Sequence, residues 1–157
     1  MTNAKGIPGF EERFAAVRGC RMRYFVGGPD EGEPIVLVHG LGGSATNWVD
    51  LAPLLAARCR VLVPELPGHG GSSPLPAVPN LAVLADRVGL VAEREGFLPA
   101  AVVGHSMGGV VALRLAIRRP DDVRALVLAG SAGIRSATKR LRLAVTMVSL
   151  VRPARYI

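Results

Sequence analysis

The apolar positions of this chain fall into short continuous runs separated by stretches of helical spacing, so strands and helices are expected to alternate. Candidate strands lie at residues 21–26, 35–38, 61–64, 101–103 and 125–129. The later runs are apolar throughout, as expected for strands of a parallel sheet covered on both faces. Three helical stretches lie between them. The first, over about 50–57, tolerates Pro53 only in its first turn and has Asp50 placed as an N-cap. The second opens after Asn80, repeats Leu81, Leu84, Val88 and Val91 at helical spacing, and stops at Gly96. The third runs from about 107 to 119 and is closed by Pro120. Residues 66–79 are dense in Gly, Pro and Ser and are expected to be loop. No internal repeat or low-complexity segment interrupts the pattern, which defines an α/β fold with a mostly parallel sheet flanked by helices.

Composition narrows the picture. A chain of 157 residues, half of them apolar and a fifth charged, is long enough for one domain with a real core. Aromatics are scarce, so that core must rest on Leu, Val and Ala. Residues 1–13 contain no apolar signal region, and the late apolar run at 143–151 is far too short to span a bilayer. The expected location is therefore cytoplasmic, with no transmembrane segment. Cys20 and Cys59 have no metal-ligand spacing and are expected to be buried thiols rather than a disulfide.

The formal charge of +7 suggests nucleic acid until it is mapped. Residues 1–133 carry 13 basic and 12 acidic side chains, whereas 134–157 carry six basic residues and no acid. The excess thus belongs to the tail, where Arg135, Lys139, Arg140, Arg142, Arg152 and Arg155 mix with apolar residues in a pattern compatible with an amphipathic helix ending at Pro153. Seventeen of the 19 basic residues are arginine, a bias that a GC-rich coding sequence would produce by itself. No recognition motif or interleaved aromatic accompanies the charge, so nucleic acid is not an expected partner.

Chemistry concentrates around Ser106. Gly104-His105-Ser106-Met107-Gly108 fits G-x-S-x-G, with Gly109 following, an apolar strand before it and a helix-length segment after it. A strand that turns sharply into a helix forces its middle residue into a strained backbone conformation and projects that side chain above the sheet edge. Gly104 and Gly108 leave room for the turn, and the helix start favours developing negative charge. The pentapeptide alone would also fit a plain glycine-rich turn; the strand and helix around it make the nucleophile reading specific.

His39-Gly40-Leu41-Gly42-Gly43 follows the strand at 35–38. Acyl transfer needs two hydrogen-bond donors where the carbonyl oxygen becomes negative. A glycine-rich loop lets main-chain N–H groups approach that point, and the natural pair is Leu41 N–H with Met107 N–H. By itself such a loop could equally be an anion nest or a turn.

With both motifs in view, the chain resembles the α/β-hydrolase superfamily, in the group carrying H-G-L-G-G after the third strand and G-H-S-M-G-G at the elbow. A third segment agrees: residues 64–72, P-E-L-P-G-H-G-G-S, resemble that family's D-x-P-G-x-G-x-S loop, with Glu65 where Asp is usual. Trp48 sits where such proteins place a packing tryptophan. The resemblance covers about residues 20–133 and implies a serine-nucleophile mechanism without cofactor or metal. Ser106 would be the nucleophile, and Leu41 and Met107 N–H would form the oxyanion hole. His39, Gly40, Gly42, Gly43, Gly104, His105, Gly108 and Gly109 would support them.

The resemblance also implies an acid and then a histidine after the serine. Here the only acids after Ser106 are Asp121 and Asp122, and no histidine follows it. His39 and His105 hold motif positions assigned to loop packing; His69 lies in the glycine-rich loop and could approach the cleft. The sequence is therefore expected to be the N-terminal part of a hydrolase core (1–133) followed by the start of a basic, helical cap (134–157). A small-molecule ester is the expected substrate. Ser rather than Asp at the elbow argues against dehalogenase and epoxide-hydrolase chemistry, while carbon–carbon hydrolase, thioesterase, acyltransferase and cofactor-free peroxidase stay open. The rival is a catalytically inactive product or interaction module that keeps the motifs. An open sheet edge at 125–129 would favour self-association.

Overall fold

The computed structural model describes residues 6–133, so the expected cap segment lies outside the described residues. Six strands form one sheet in the order β1-β2-β4-β3-β5-β6. They are β1 (Glu11–Val17), β2 (Cys20–Gly27), β3 (Glu33–Val38), β4 (Cys59–Pro64), β5 (Ala100–His105) and β6 (Val123–Ala129). The β1–β2 and β2–β4 pairs are antiparallel; β4, β3, β5 and β6 run parallel. Three helices connect them: α1 (Leu51–Ala56), α2 (Leu81–Arg94) and α3 (Met107–Arg118). This is the mostly parallel, helix-flanked sheet that the alternating pattern predicts.

Each face of the sheet has its own core. Leu84, Val88 and Val91 of α2 meet Val111, Ala112 and Leu115 of α3 over Met22, Val36, Leu62 and Val102. On the other face Ala52 of α1, Trp48 and Ala45 cover Leu37, Val61 and Val63. Trp48 is a core residue there, as expected. Cys20 is a buried free thiol, and Cys59 is free but only half-buried.

Three local expectations change and one holds. Residues 11–17 form an additional strand, β1, paired antiparallel with β2. Asp50 stands at the start of α1 with helical dihedrals and makes no side-chain cap. The capping falls earlier, on Ser44, which opens the 3-10 turn Ala45–Trp48 through a reciprocal pair with Asn47. Asn80 does cap α2, its side chain accepting from Val83 N–H. β6 pairs only with β5 among the described residues, the expected open edge, but its faces are not both covered, since Val127 is 52% exposed.

Candidate active site

Ser106 joins β5 to α3 with φ +54° and ψ −119°, a conformation that L-residues rarely adopt. The turn is held from both sides. Ser106 N–H donates to Ala129 O at 3.1 Å, and Ser106 O accepts from Gly109 N–H at 3.0 Å and Ala132 N–H at 3.1 Å. β6 and the residues after it therefore clamp the elbow, a support that no sequence motif announces. Any Cβ on Gly104 would collide with the Gly108 backbone, and one on Gly108 with the carbonyls of Val38 and His39. Side chains at those two positions would force α3 away from β5 and β3. The Ser106 side chain makes no capping bond to the helix it precedes, so its hydroxyl is not consumed by α3.

The 39–43 loop lies against this turn. A Cβ on Gly40 would come within 3.1 Å of Ser106 Cβ. Its orientation is fixed by His39, which is fully buried. Leu66 N–H donates to His39 Nε2 at 3.0 Å, and His39 Nδ1 lies 2.8 Å from Gly40 O. Because Nε2 accepts and a carbonyl can only accept, the ring is neutral with its proton on Nδ1. Burial pushes the His39 pKa down to about 4, in keeping with that state. Gly40 O takes a second bond, from Gly43 N–H at 3.1 Å. With the Gly40 carbonyl held this way, the trans peptide turns Leu41 N–H to the opposite side. Met107 is the first residue of α3, and its N–H is one of the first-turn donors that no carbonyl within a helix can satisfy. The two expected oxyanion donors thus sit on the two segments that meet at Ser106.

His69 is buried, its ring centroid 5.2 Å from that of His39 and its Nδ1 3.1 Å from Pro67 O. Its Nε2 is buried and has no hydrogen-bond partner among the described residues. His105 is exposed and lines a cavity of about 170 Å³ with Asn47, Trp48 and Ala129. Asp121 and Asp122 follow the far end of α3, about 18 Å along the helix axis from Ser106 at 1.5 Å per residue, and Asp122 pairs with Arg119. A larger groove of about 420 Å³, lined by Arg18, Asp86, Leu90, Arg118 and Arg119, includes none of the motif residues. Among the described residues no cluster of His, Cys, Asp and Glu is placed to hold a metal, and no helix is long and apolar enough to cross a membrane.

One charged pair escapes sequence reasoning altogether. Glu65 is fully buried and receives Arg23 through two bonds, Nε to Oε2 at 2.7 Å and Nη2 to Oε1 at 2.9 Å. Arg23 lies on β2, where an arginine reads as surface.

Comparison with known proteins agrees with this architecture. The family profile for the alpha/beta hydrolase fold matches residues 33–149, and the chain belongs to that family. It is 41% identical over 123 residues to a dihydrolipoyllysine-residue acetyltransferase component of an acetoin cleaving system from Pseudomonas putida, covering 78% of this chain and 33% of that protein. It is 33% identical over 140 residues to 2-hydroxy-6-oxo-6-(2'-aminophenyl)hexa-2,4-dienoic acid hydrolase of Metapseudomonas resinovorans, covering 83% of this chain and 46% of that one. Among solved structures, a bacterial membrane phospholipase A described as a virulence factor superposes with a TM-score of 0.79 at 34% identity, over 87% of this chain and 44% of that one. The chain thus spans about a third to just under half the length of these relatives.

Proposed function

We propose that this chain carries the nucleophile and oxyanion hole of a serine hydrolase acting on a small carboxylic ester. The observation that carries the reading is the Ser106 backbone at φ +54° at the start of a helix, clamped through Ala129, Gly109 and Ala132 and closely approached by Gly40. In this reading Ser106 Oγ attacks the ester carbonyl carbon and its proton passes to a histidine. Leu41 and Met107 N–H receive the developing oxyanion. Collapse expels the alcohol, which takes the proton, and leaves an acyl-enzyme that water then cleaves to acid and free serine. Losing one oxyanion donor would cost about 10²–10³ in rate.

In this reading the base and its acid are assigned outside residues 1–157: no histidine follows Ser106, His39 has both ring nitrogens engaged, and Asp121 and Asp122 lie at the far end of α3. The same observation favours a second reading, a non-catalytic module that retains the motifs. Relatives named as a 2-hydroxy-6-oxo-6-(2'-aminophenyl)hexa-2,4-dienoic acid hydrolase, a phospholipase A and an acetyltransferase component leave the acyl and leaving groups open within the serine reading.

Fluorophosphonate labelling with mass mapping and a Ser106→Ala control separates these cases. It should be run on the 157-residue chain and on the product of the surrounding reading frame. Labelling of Ser106 in the longer product only is the expected result. Labelling in the chain itself would place the base within residues 1–157. No labelling in either folded sample would leave the non-catalytic module.

A further inference from the structure

We infer that Glu65, held by Arg23, is a positioning residue that fixes one end of the 39–45 loop while its neighbour Leu66 fixes the other. The inference rests on reading that loop as the oxyanion loop. Glu65 Oε1 accepts Ala45 N–H at 3.1 Å, and Oε2 accepts Gly71 N–H at 2.6 Å. One residue on, Leu66 N–H binds His39 at 3.0 Å, and His39 in turn holds the Gly40 carbonyl. Two consecutive residues therefore grip the loop at residues 39 and 45, and the Gly40–Leu41 peptide lies between the grips.

The carboxylate can do this because its surroundings are built around it. All four groups that face it are donors: Arg23 Nε, Arg23 Nη2, Ala45 N–H and Gly71 N–H. A carboxylate offers acceptors on both oxygens, and a buried carboxylate with an opposed guanidinium is stable only when its lone pairs are met in this way. Arg23 is placed by Ser72, whose Oγ accepts Arg23 N–H at 2.8 Å and donates to Glu65 O at 2.8 Å. Gly70 and Gly71 supply the space. A Cβ on Gly70 would overlap the Glu65 carboxylate, and one on Gly71 would come within 2.6 Å of Arg23 Nε. Gly70 also has φ +54°, so substitution there is unfavourable on both counts.

The length of the side chain is part of the device. Aspartate, one methylene shorter, would draw the carboxylate back from the β2 guanidinium and the Ala45 amide at the same backbone position. Glutamine keeps the length but presents an NH₂ to a donor on one side. The amide oxygen would take the shorter pair of bonds at the Oε2 side, leaving NH₂ facing Ala45 N–H. Both variants should release the loop at residue 45 and leave the sheet intact.

Native-state amide hydrogen exchange on the full 157-residue chain tests this without any need for activity. In Glu65→Gln and Glu65→Asp, exchange at Gly43 and Ala45 is expected to rise tenfold or more relative to that at Val36 and Leu62. The Leu41 amide resonance should move with it. A uniform rise at all amides would reduce Glu65 to a general stability residue and overturn the inference, as would unchanged exchange at Ala45 in the Glu65→Asp protein. Should Glu65→Gln fail to fold, Glu65→Asp retains the charge and carries the test alone. An intact exchange signature in a chain whose longer product never labels with fluorophosphonate would sink the serine-hydrolase reading while leaving the loop-holding device in place.

Discussion

Ser106 and His39 show how single residues are held in states that the unfolded chain would not choose. A non-glycine residue at φ +54° carries of order 1–3 kcal/mol of backbone strain, which the clamp from Ala129, Gly109 and Ala132 must offset. Ser106→Gly removes that strain, and about 1 kcal/mol of added stability is expected in denaturant melts after glycine's greater unfolded-state entropy is deducted. A loss of stability would mean that the serine side chain supports the turn. His39 is strained electrostatically rather than sterically. With a folded pKa of about 4 against an ordinary value of 6.5, it stays neutral in the fold where the unfolded chain binds a proton. Stability is therefore complete above pH 6.5 and falls as pH drops towards 4, by up to about 1.4 kcal/mol per unit from this group. The neighbouring His69 ring adds to the depression and Glu65 opposes it. Melts of the wild type and His39→Gln over pH 4–7 should show a shallower slope in the variant; parallel slopes would assign the acid sensitivity to other groups.

At the scale of elements, stability comes from the seam between α2 and α3. Leu115 is 1% exposed and packs against the α2 face, whereas Ile117, two residues later on the same helix, is 66% exposed. Leu115→Ala is expected to cost about 2–5 kcal/mol in denaturant melts, and Ile117→Ala to stay within about 0.5 kcal/mol of wild type. Equal effects would show that Ile117 is covered. The same elements show what could be read beforehand. The runs at 35–38, 61–64 and 101–103 are buried parallel strands, and such strands announce themselves by being apolar throughout. β1 does not: EERFAAV opens with three charged residues, and of the short apolar stretch Phe14–Val17 that follows only Ala15 and Val17 are buried. Asp50 misled because a good capping residue before a helix is only half the requirement; the side-chain capping lies on Ser44, which with Asn47 three residues on opens the preceding 3-10 turn instead. Around the site, G-x-S-x-G and H-G-L-G-G were legible because glycine at fixed spacing reports backbone crowding. Arg23 was not, since its partner lies 42 residues away and only the fold brings the two together.

The whole molecule is asymmetric about its sheet. One edge is finished: β1 folds back on β2, and its outer positions carry Glu11, Glu12 and Arg13, charges of the kind that discourage further pairing. The other edge is different. β6 reads VRALVLA, pairs only with β5 among the described residues, and leaves Val127 half-exposed with Ile117 of α3 also open to solvent. An apolar strand with one free side is a template for another strand, and nothing in its sequence beyond Arg124 opposes such pairing. The 157-residue chain is therefore expected to self-associate through β6 in a concentration-dependent way, visible by sedimentation velocity. Val127→Lys places a charge on the exposed position without touching the β5 register and should shift the distribution towards monomer. A wild-type chain that sediments as a single monomer over a hundredfold range of concentration would mean that this edge is already covered, and Val127→Lys should then destabilise the fold instead of dispersing it.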